Sequence, residues 1–267
     1  MTRRQFHTPV LCATAILLAG CDALNTGVSG NPVGVGGLTA RTSGTGFTTS
    51  PLVTFYRVTS GTFVTTAGVR DTCLDITYSE AATSPSTSAT GIGGGTQIIV
   101  QLGSRTDTLR RTTGSTDLTY RSSLAAGLAY TPGDSMTFTV AGDANGFPAA
   151  TFSGKTAEAF TLDPVNVPAA GAPITLTWTP ATDANAAMAM SLRYVTGTGT
   201  TFNRQISCTF VDDGTATVPG AMASPWISAT TRAIVAQRNR TILEQVTVPL
   251  SYFNIVSTFT VPTPVSP

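Results

Sequence analysis

Most of the chain after residue 50 alternates apolar and polar side chains with a period of two residues, and threonine fills many polar positions. Segments 136–140, 174–179 and 188–194 show this pattern clearly, and the last clear strands are expected over 242–250 and 253–261. A period of two is typical of a strand with one buried face, and threonine favours strands. No segment shows a convincing helical period. The pattern predicts an all-β protein.

Turn signals such as Pro132-Gly133-Asp134 recur about every ten residues, a spacing typical of β-sandwiches. Roughly 215 residues are large for one sandwich, so we expect two in tandem. The least strand-like stretch is 153–172, which contains Asp163-Pro164. We therefore predict sandwich domains over 51–155 and 156–262, followed by a short tail over 263–267.

The N-terminus has the pattern of an export signal. Arg3 and Arg4 precede a short apolar run that ends in Leu18-Ala19-Gly20-Cys21. The run is far below the ~20 residues that a membrane-spanning helix needs. The final four residues resemble the lipobox of bacterial lipoproteins. The resemblance implies that residues 1–20 are a signal peptide, that Cys21 carries a membrane-anchoring lipid, and that the protein faces the periplasm or the surface from the inner or outer membrane of the cell envelope.

Residues 21–50 are rich in Gly, Thr, Ser and Asn and contain few large apolar side chains. Such a segment buries too little surface to offset the entropy of ordering. We therefore expect a flexible tether between the lipid and the first domain.

Composition excludes several kinds of chemistry. The single histidine, His7, leaves with the signal, which removes histidine-based nucleophilic sites and histidine-ligated metals. Removing Arg3 and Arg4 as well leaves thirteen basic residues against 14 acidic ones. A nearly neutral chain without a basic run argues against nucleic acid as a partner. No cofactor and no catalytic residue is predicted.

Cys73 and Cys208 are the two cysteines left after the signal and the lipid anchor are set aside. An even pair in an exported chain suggests a disulfide. Alternation places Cys208 on a core face with Ile206 and Phe210, but it places Cys73 on the more polar side of its strand. A disulfide and two separate thiols both remain open.

The second half contains three segments that resemble a module of uncharacterised secreted bacterial lipoproteins. They are Leu176-Thr-Trp-Thr-Pro180, Cys208-Thr-Phe-Val-Asp-Asp-Gly214 and Thr217-Val-Pro219. The resemblance implies an immunoglobulin-like sandwich, so the predicted fold is two tandem immunoglobulin-like β-sandwich domains. It implies no activity.

Two motifs have both a functional and a structural interpretation. Asp212 and Asp213 offer oxygen ligands to calcium, although Asp-Gly at 213–214 also suits a hairpin turn, which we favour. Trp226 after Ser224-Pro225 could stack on a sugar, although a tryptophan tucked into the edge of the core is the favoured alternative.

Charged side chains give two more candidates. Arg232, Arg238 and Arg240 are separated by even numbers of residues, so they would share one face of a strand. They form either a basic patch or a solvated strand face, and we favour the solvated face. Asp71 and Asp75 are the closest acidic pair outside the Asp212 turn, but strand rise separates them by roughly 13 Å, which is too far for a glycosidase pair acting alone.

We therefore expect a lipid-anchored, non-catalytic binding or scaffolding module. Its expected partners are the membrane, through Cys21, and an envelope protein or glycan. A calcium- or carbohydrate-binding module is the alternative, and a carboxylate-dependent hydrolase is a third.

Overall fold

The computed structural model of the chain describes residues 30–58, 70–79, 89–111, 118–263 and 265–266. The predicted signal peptide and the predicted lipidation site, Cys21, lie outside these residues. The described residues form strands and one short helix, which confirms the all-β prediction.

The strands of the first half are β1 (Pro32–Ser43), β2 (Gly46–Thr49), β3 (Leu52–Val58), β4 (Thr72–Thr77), β5 (Ala89–Gly91), β6 (Gln97–Leu102), β7 (Arg105–Arg111), β8 (Thr119–Arg121), β9 (Leu128–Tyr130), β10 (Ser135–Val140) and β11 (Ala150–Lys155). The second half comprises β12 (Val165–Asn166), β13 (Ile174–Thr177), β14 (Ala186–Tyr194), β15 (Arg204–Val211), β16 (Thr215–Val218), α1 (Gly220–Ser228), β17 (Arg232–Thr247), β18 (Leu250–Thr263) and β19 (Val265–Ser266).

One large sheet contains most of these strands. Its hydrogen-bonded order is β11-β10-β6-β7-β8-β3-β1-β18-β17-β14-β15-β4, with β2, β5 and β9 attached at the side. Two small sheets pair β13 with β16 and β12 with β19. Strand β1 is the junction, because it pairs antiparallel with β3 on one side and parallel with β18 on the other.

The large sheet runs across the boundary predicted at residues 155 and 156. Buried apolar side chains from both halves also form one contiguous cluster. A buried polar contact adds to this junction: the Tyr130 hydroxyl lies 2.9 Å from Ser257 Oγ and donates to the carbonyl of Ala157 at 3.0 Å. Burial raises the pKa of Tyr130 to about 12, so this phenol stays protonated. The division into two tandem sandwiches stays a prediction.

The alternation identified in the sequence corresponds to buried strand faces. Met136, Phe138 and Val140 of β10 are all at most 2% exposed. The apolar positions of 174–179 and 188–194 are likewise buried. The strand expected over 242–250 differs, because β17 ends at Thr247 and a turn precedes β18 at Leu250.

The tether prediction is wrong for residues 32–49, which form β1 and β2. The glycines of β1 serve close packing: a Cβ at Gly34 would lie 2.4 Å from Cδ2 of Phe253, and one at Gly36 would lie 3.1 Å from Cε1 of Phe138. Glycine within a strand permits such close approach. The glycine content suggested a flexible segment because the aromatic residues that pack against these glycines are distant in sequence. Local sequence therefore does not reveal that packing.

A cluster of aromatic rings packs over these glycines and fills the core between the first-half strands and β18. The rings of Phe152 and Phe253 stack at a centroid distance of 4.3 Å. The cluster consists of Phe55, Tyr120, Phe138, Phe147, Phe152 and Phe253.

Helix α1 was not predicted from the sequence. Its buried residues are Ala223, Trp226 and Ile227, which have the i, i+3, i+4 spacing of a helical face. A helix of nine residues contains only one such set, so its helical periodicity cannot be recognised in the sequence.

Candidate functional site

A buried ion pair lies between the large sheet and the segment that follows β11. Arg238 Nε donates to Asp212 Oδ2 at 2.6 Å, and Arg238 Nη2 donates to Oδ1 at 3.0 Å. The indole nitrogen of Trp178 also donates to Oδ1, at 2.7 Å. The two charged side chains are only 1% and 2% exposed.

This geometry corrects the calcium prediction at Asp212. Both of its carboxylate oxygens already accept hydrogen bonds from Arg238, so a cationic group occupies the place that calcium would need. The neighbouring Asp213 accepts from the backbone N–H of Thr215 through Oδ1. Among the described residues, no group of three or more His, Cys, Asp or Glu side chains is placed to hold a metal.

The turn at Asp212–Gly214 also differs from a hairpin. Strand β15 belongs to the large sheet, whereas β16 pairs with β13 in a small sheet. The turn therefore leads the chain from one sheet to another, and the positive φ of 101° at Gly214 provides the tight change of direction.

Arg238 also anchors irregular backbone. Its Nη1 donates to the carbonyl of Ala159 at 2.8 Å, and its Nη2 donates to the carbonyl of Thr179. The guanidinium carbon lies 5.1 Å from the ring centroid of Phe160. The solvated-face interpretation is therefore wrong at Arg238. Arg238 lies on the same face of its strand as Ile234 and Ala236, which are both buried. This shared face was the sequence feature that indicated burial of Arg238.

A polar cleft of about 270 Å³ opens next to this ion pair. It lies where the end of β11, the segment before β14 and the middle of β17 meet. Its lining residues are Gly133, Lys155, Thr156, Glu158, Thr182, Asp183, Ala184 and Arg240.

Both carboxylates and cations line the cleft. Glu158 accepts hydrogen bonds from both the backbone N–H and the hydroxyl of Thr182, the former at 3.0 Å. Arg240 pairs with Asp183 through Nε, and its Nη1 is buried without a hydrogen-bond partner among the described residues. Lys155 is exposed at the edge. The arrangement provides fixed charges of both signs for a polar ligand.

The pKa of Glu158 lies below its usual range. Burial opposes ionisation, but the hydrogen bonds from Thr182 and the positive charges of Arg238 and Arg240 outweigh it. The carboxylate is therefore ionised at neutral pH.

Trp226 does not lie at this cleft or on the surface. It is 0% exposed, it lies in α1, and its indole nitrogen donates to the carbonyl of Ala233 at 3.3 Å. The prediction of ligand stacking at Trp226 is wrong, because the ring is enclosed by protein. The favoured alternative, a tryptophan packed into the core, is what the structure shows.

Cys73 and Cys208 are joined in a disulfide, with a Cα–Cα distance of 4.0 Å. They face each other in the register of β4 and β15. The alternation pattern placed Cys73 on the polar side of β4, and this prediction is wrong. Cys73 packs against the core, whereas its neighbour Leu74 is 48% exposed.

Asp71 and Asp75, the closest acidic pair outside the Asp212 turn, contact separate partners. Asp71 accepts from the backbone N–H of Val211 at 3.3 Å, whereas Asp75 pairs with Arg204 at 2.7 Å. The Tyr194 hydroxyl donates to Asp75 as well.

Sequence reasoning missed the cleft. Glu158, Thr182 and Asp183 lie in irregular segments without a recognisable sequence motif. The one sequence feature that pointed to the cleft was the position of Arg240. It lies two residues after Arg238 in β17 and therefore on the same, inward face of the strand.

No family model and no curated protein matches this chain.

None of the helices in the described part of the chain is long and apolar enough to cross a membrane.

Proposed function

We propose that this chain is a lipid-anchored protein of the bacterial cell envelope that acts as a non-catalytic binding or scaffolding module. The lipobox-like Leu18-Ala19-Gly20-Cys21 supplies the anchor. The observation that supports export best is the disulfide between Cys73 and Cys208. Structural disulfides persist in oxidising compartments such as the periplasm and are rare in the cytosol.

The charges of the cleft favour recognition over catalysis. A carboxyl group that acts as a general acid near neutral pH needs a raised pKa, whereas that of Glu158 is lowered. Asp183 is held by Arg240, and Glu158 by Thr182. The charged lining of the cleft suits a polar segment of an envelope protein or a glycan.

Anchoring is tested by the intact mass and the detergent-phase partitioning of the full chain expressed in bacteria. We expect a mass equal to residues 21–267 plus lipid, and loss of acylation in Cys21→Ser. Cys12→Ser is the matched control, because it removes a thiol from the same N-terminal segment and leaves the lipobox unchanged. Unacylated wild-type protein that retains residues 1–20 would refute the anchor and the envelope location.

Binding at the cleft is tested by placing a photocrosslinking amino acid at Ala184, an exposed lining residue, in cells. The control position is Thr45, in the exposed turn between β1 and β2. A discrete adduct at Ala184 that is absent at Thr45, and that weakens in Arg240→Gln, supports a partner at the cleft. Equal labelling at both positions contradicts it.

A further inference from the structure

The hairpin between β17 and β18 has an exposed apolar tip. Val248 is 85% exposed and Leu250 is 37% exposed, and Pro249 lies between them. No Asp, Glu, Lys or Arg follows Glu244 in the sequence. An exposed apolar tip without charged side chains is suited to contact with an apolar surface.

The tip lies at the end of the molecule where the described chain begins. In the parallel pairing of β1 with β18, Val33 is level with Tyr252. The hairpin continues beyond Tyr252 to Val248 and Pro249. At a rise of about 3.3 Å per residue, the tip projects roughly 10 Å past the start of β1.

The reach from the lipid anchor to this end is short. Nine residue steps separate Cys21 from Gly30, a span of about 30 Å when fully extended and roughly 17 Å as a flexible coil. An anchor at Cys21 therefore holds the start of β1, and the neighbouring hairpin tip, close to the bilayer.

The residues behind the tip suit a membrane interface. Tyr56 and Tyr252 flank Val33 in register across three strands and pack against it in a separate small apolar cluster. Tyrosine is enriched at the level of lipid headgroups. Arg57 lies at the same end, where its Nη1 donates to the carbonyl of Gly30 at 2.9 Å, and it adds a positive charge suited to lipid phosphates.

We propose that the β17–β18 tip inserts into the surface of the phospholipid bilayer that holds the acyl chains on Cys21. This inference rests on the proposed lipid anchor. The lipid and the tip then form two contacts at one end of the molecule, which orient the sheet relative to the membrane and direct the opposite end of β1 away from it.

The test uses acylated full-length protein with an environment-sensitive fluorophore on Val248→Cys, reconstituted in phosphatidylethanolamine–phosphatidylglycerol vesicles that contain nitroxide-labelled lipid. Thr45→Cys, at the far end of β1, is the matched control. We expect a blue-shifted emission and quenching by the nitroxide lipid at position 248, and neither at position 45. Adding Leu250→Asp to the Val248→Cys protein should reduce the quenching.

The intact mass of the same sample separates the two proposals. Acylated, vesicle-bound protein without quenching at position 248 overturns tip insertion and leaves the anchor standing. Equal quenching at positions 248 and 45 also overturns it, because the whole molecule would then lie against the bilayer. Unacylated protein overturns the anchor and the inference together.

Discussion

At the scale of single residues, Arg238 connects several separate parts of the structure. It pairs with Asp212 and donates to the carbonyls of Ala159 and Thr179. Two buried charges cost several kcal/mol to desolvate, and only their mutual geometry offsets that cost. Removing one partner is therefore far more damaging than removing both.

We predict that Arg238→Met lowers the free energy of unfolding by about 3–5 kcal/mol, because it leaves the buried Asp212 without its cationic partner. Arg238→Met combined with Asp212→Leu should recover much of the loss. Arg105→Met, at an exposed arginine, should stay within about 0.5 kcal/mol. Urea denaturation of the wild type and the three variants measures these changes. An Arg238→Met protein as stable as wild type would contradict the structural role of the Arg238–Asp212 ion pair.

Glu158 gives a pH-dependent prediction. Its pKa is lower in the folded protein than the ordinary value of 4.5, so its contribution to stability is complete above that value and is lost as the pH falls through the folded pKa. Glu158→Gln should therefore reduce the difference in urea midpoint between neutral and acidic pH. Glu244→Gln, at an exposed glutamate outside the cleft, is the control. An unchanged pH profile in Glu158→Gln would count against the Thr182 and arginine contacts.

At the scale of elements, β1 determines how the halves join. Its inward face carries Gly34 and Gly36 under the aromatic rings, whereas Gly37 faces open space on the other side. The same residue type thus has different roles at neighbouring positions of one strand. A substitution at Gly37 can therefore serve as the control for the same substitution at Gly34.

We predict that Gly34→Ala destabilises the protein by about 1–3 kcal/mol, since the new Cβ would lie 2.4 Å from Phe253 and force the core to shift. Gly37→Ala should be neutral or stabilising by about 0.5 kcal/mol, because it meets no atom within 4 Å and lowers the entropy of the unfolded chain. Thermal unfolding of both variants checks this. Equal melting temperatures would mean that β1 does not pack under the rings.

At the scale of the whole molecule, distant segments determine the architecture. Strand β1 pairs with β18, and β4 pairs with β15 at an end of the large sheet. The disulfide across the second pair links residues 135 positions apart. Strand β4 has one hydrogen-bonded neighbour in the described sheet, so the covalent link holds an otherwise weakly attached edge.

We predict that reducing the disulfide, or replacing both cysteines by serine, lowers stability by about 2–5 kcal/mol. Hydrogen exchange should rise first in β4, whereas β10, paired on both sides, should stay protected. Mass-resolved hydrogen exchange with and without reductant measures both. Protection of β4 that is unchanged after reduction would show that its pairing with β15 suffices.

The sequence by itself determined the strand-rich class, the buried faces of β10, β13 and β14, and the lipobox-like segment. These features are local: alternation and turn residues act through the nearest neighbours of each position. It also favoured a Trp226 tucked into the edge of the core over an exposed one.

Only the tertiary structure decided the rest. The inclusion of residues 32–49 in the sheet, the pairing of Cys73 with Cys208, and the charged cleft depend on partners outside the local sequence, which local patterns do not specify. Arg238 lies inside only because Asp212 and two backbone carbonyls meet it there. A single strand cannot specify which distant side chain will neutralise its charge.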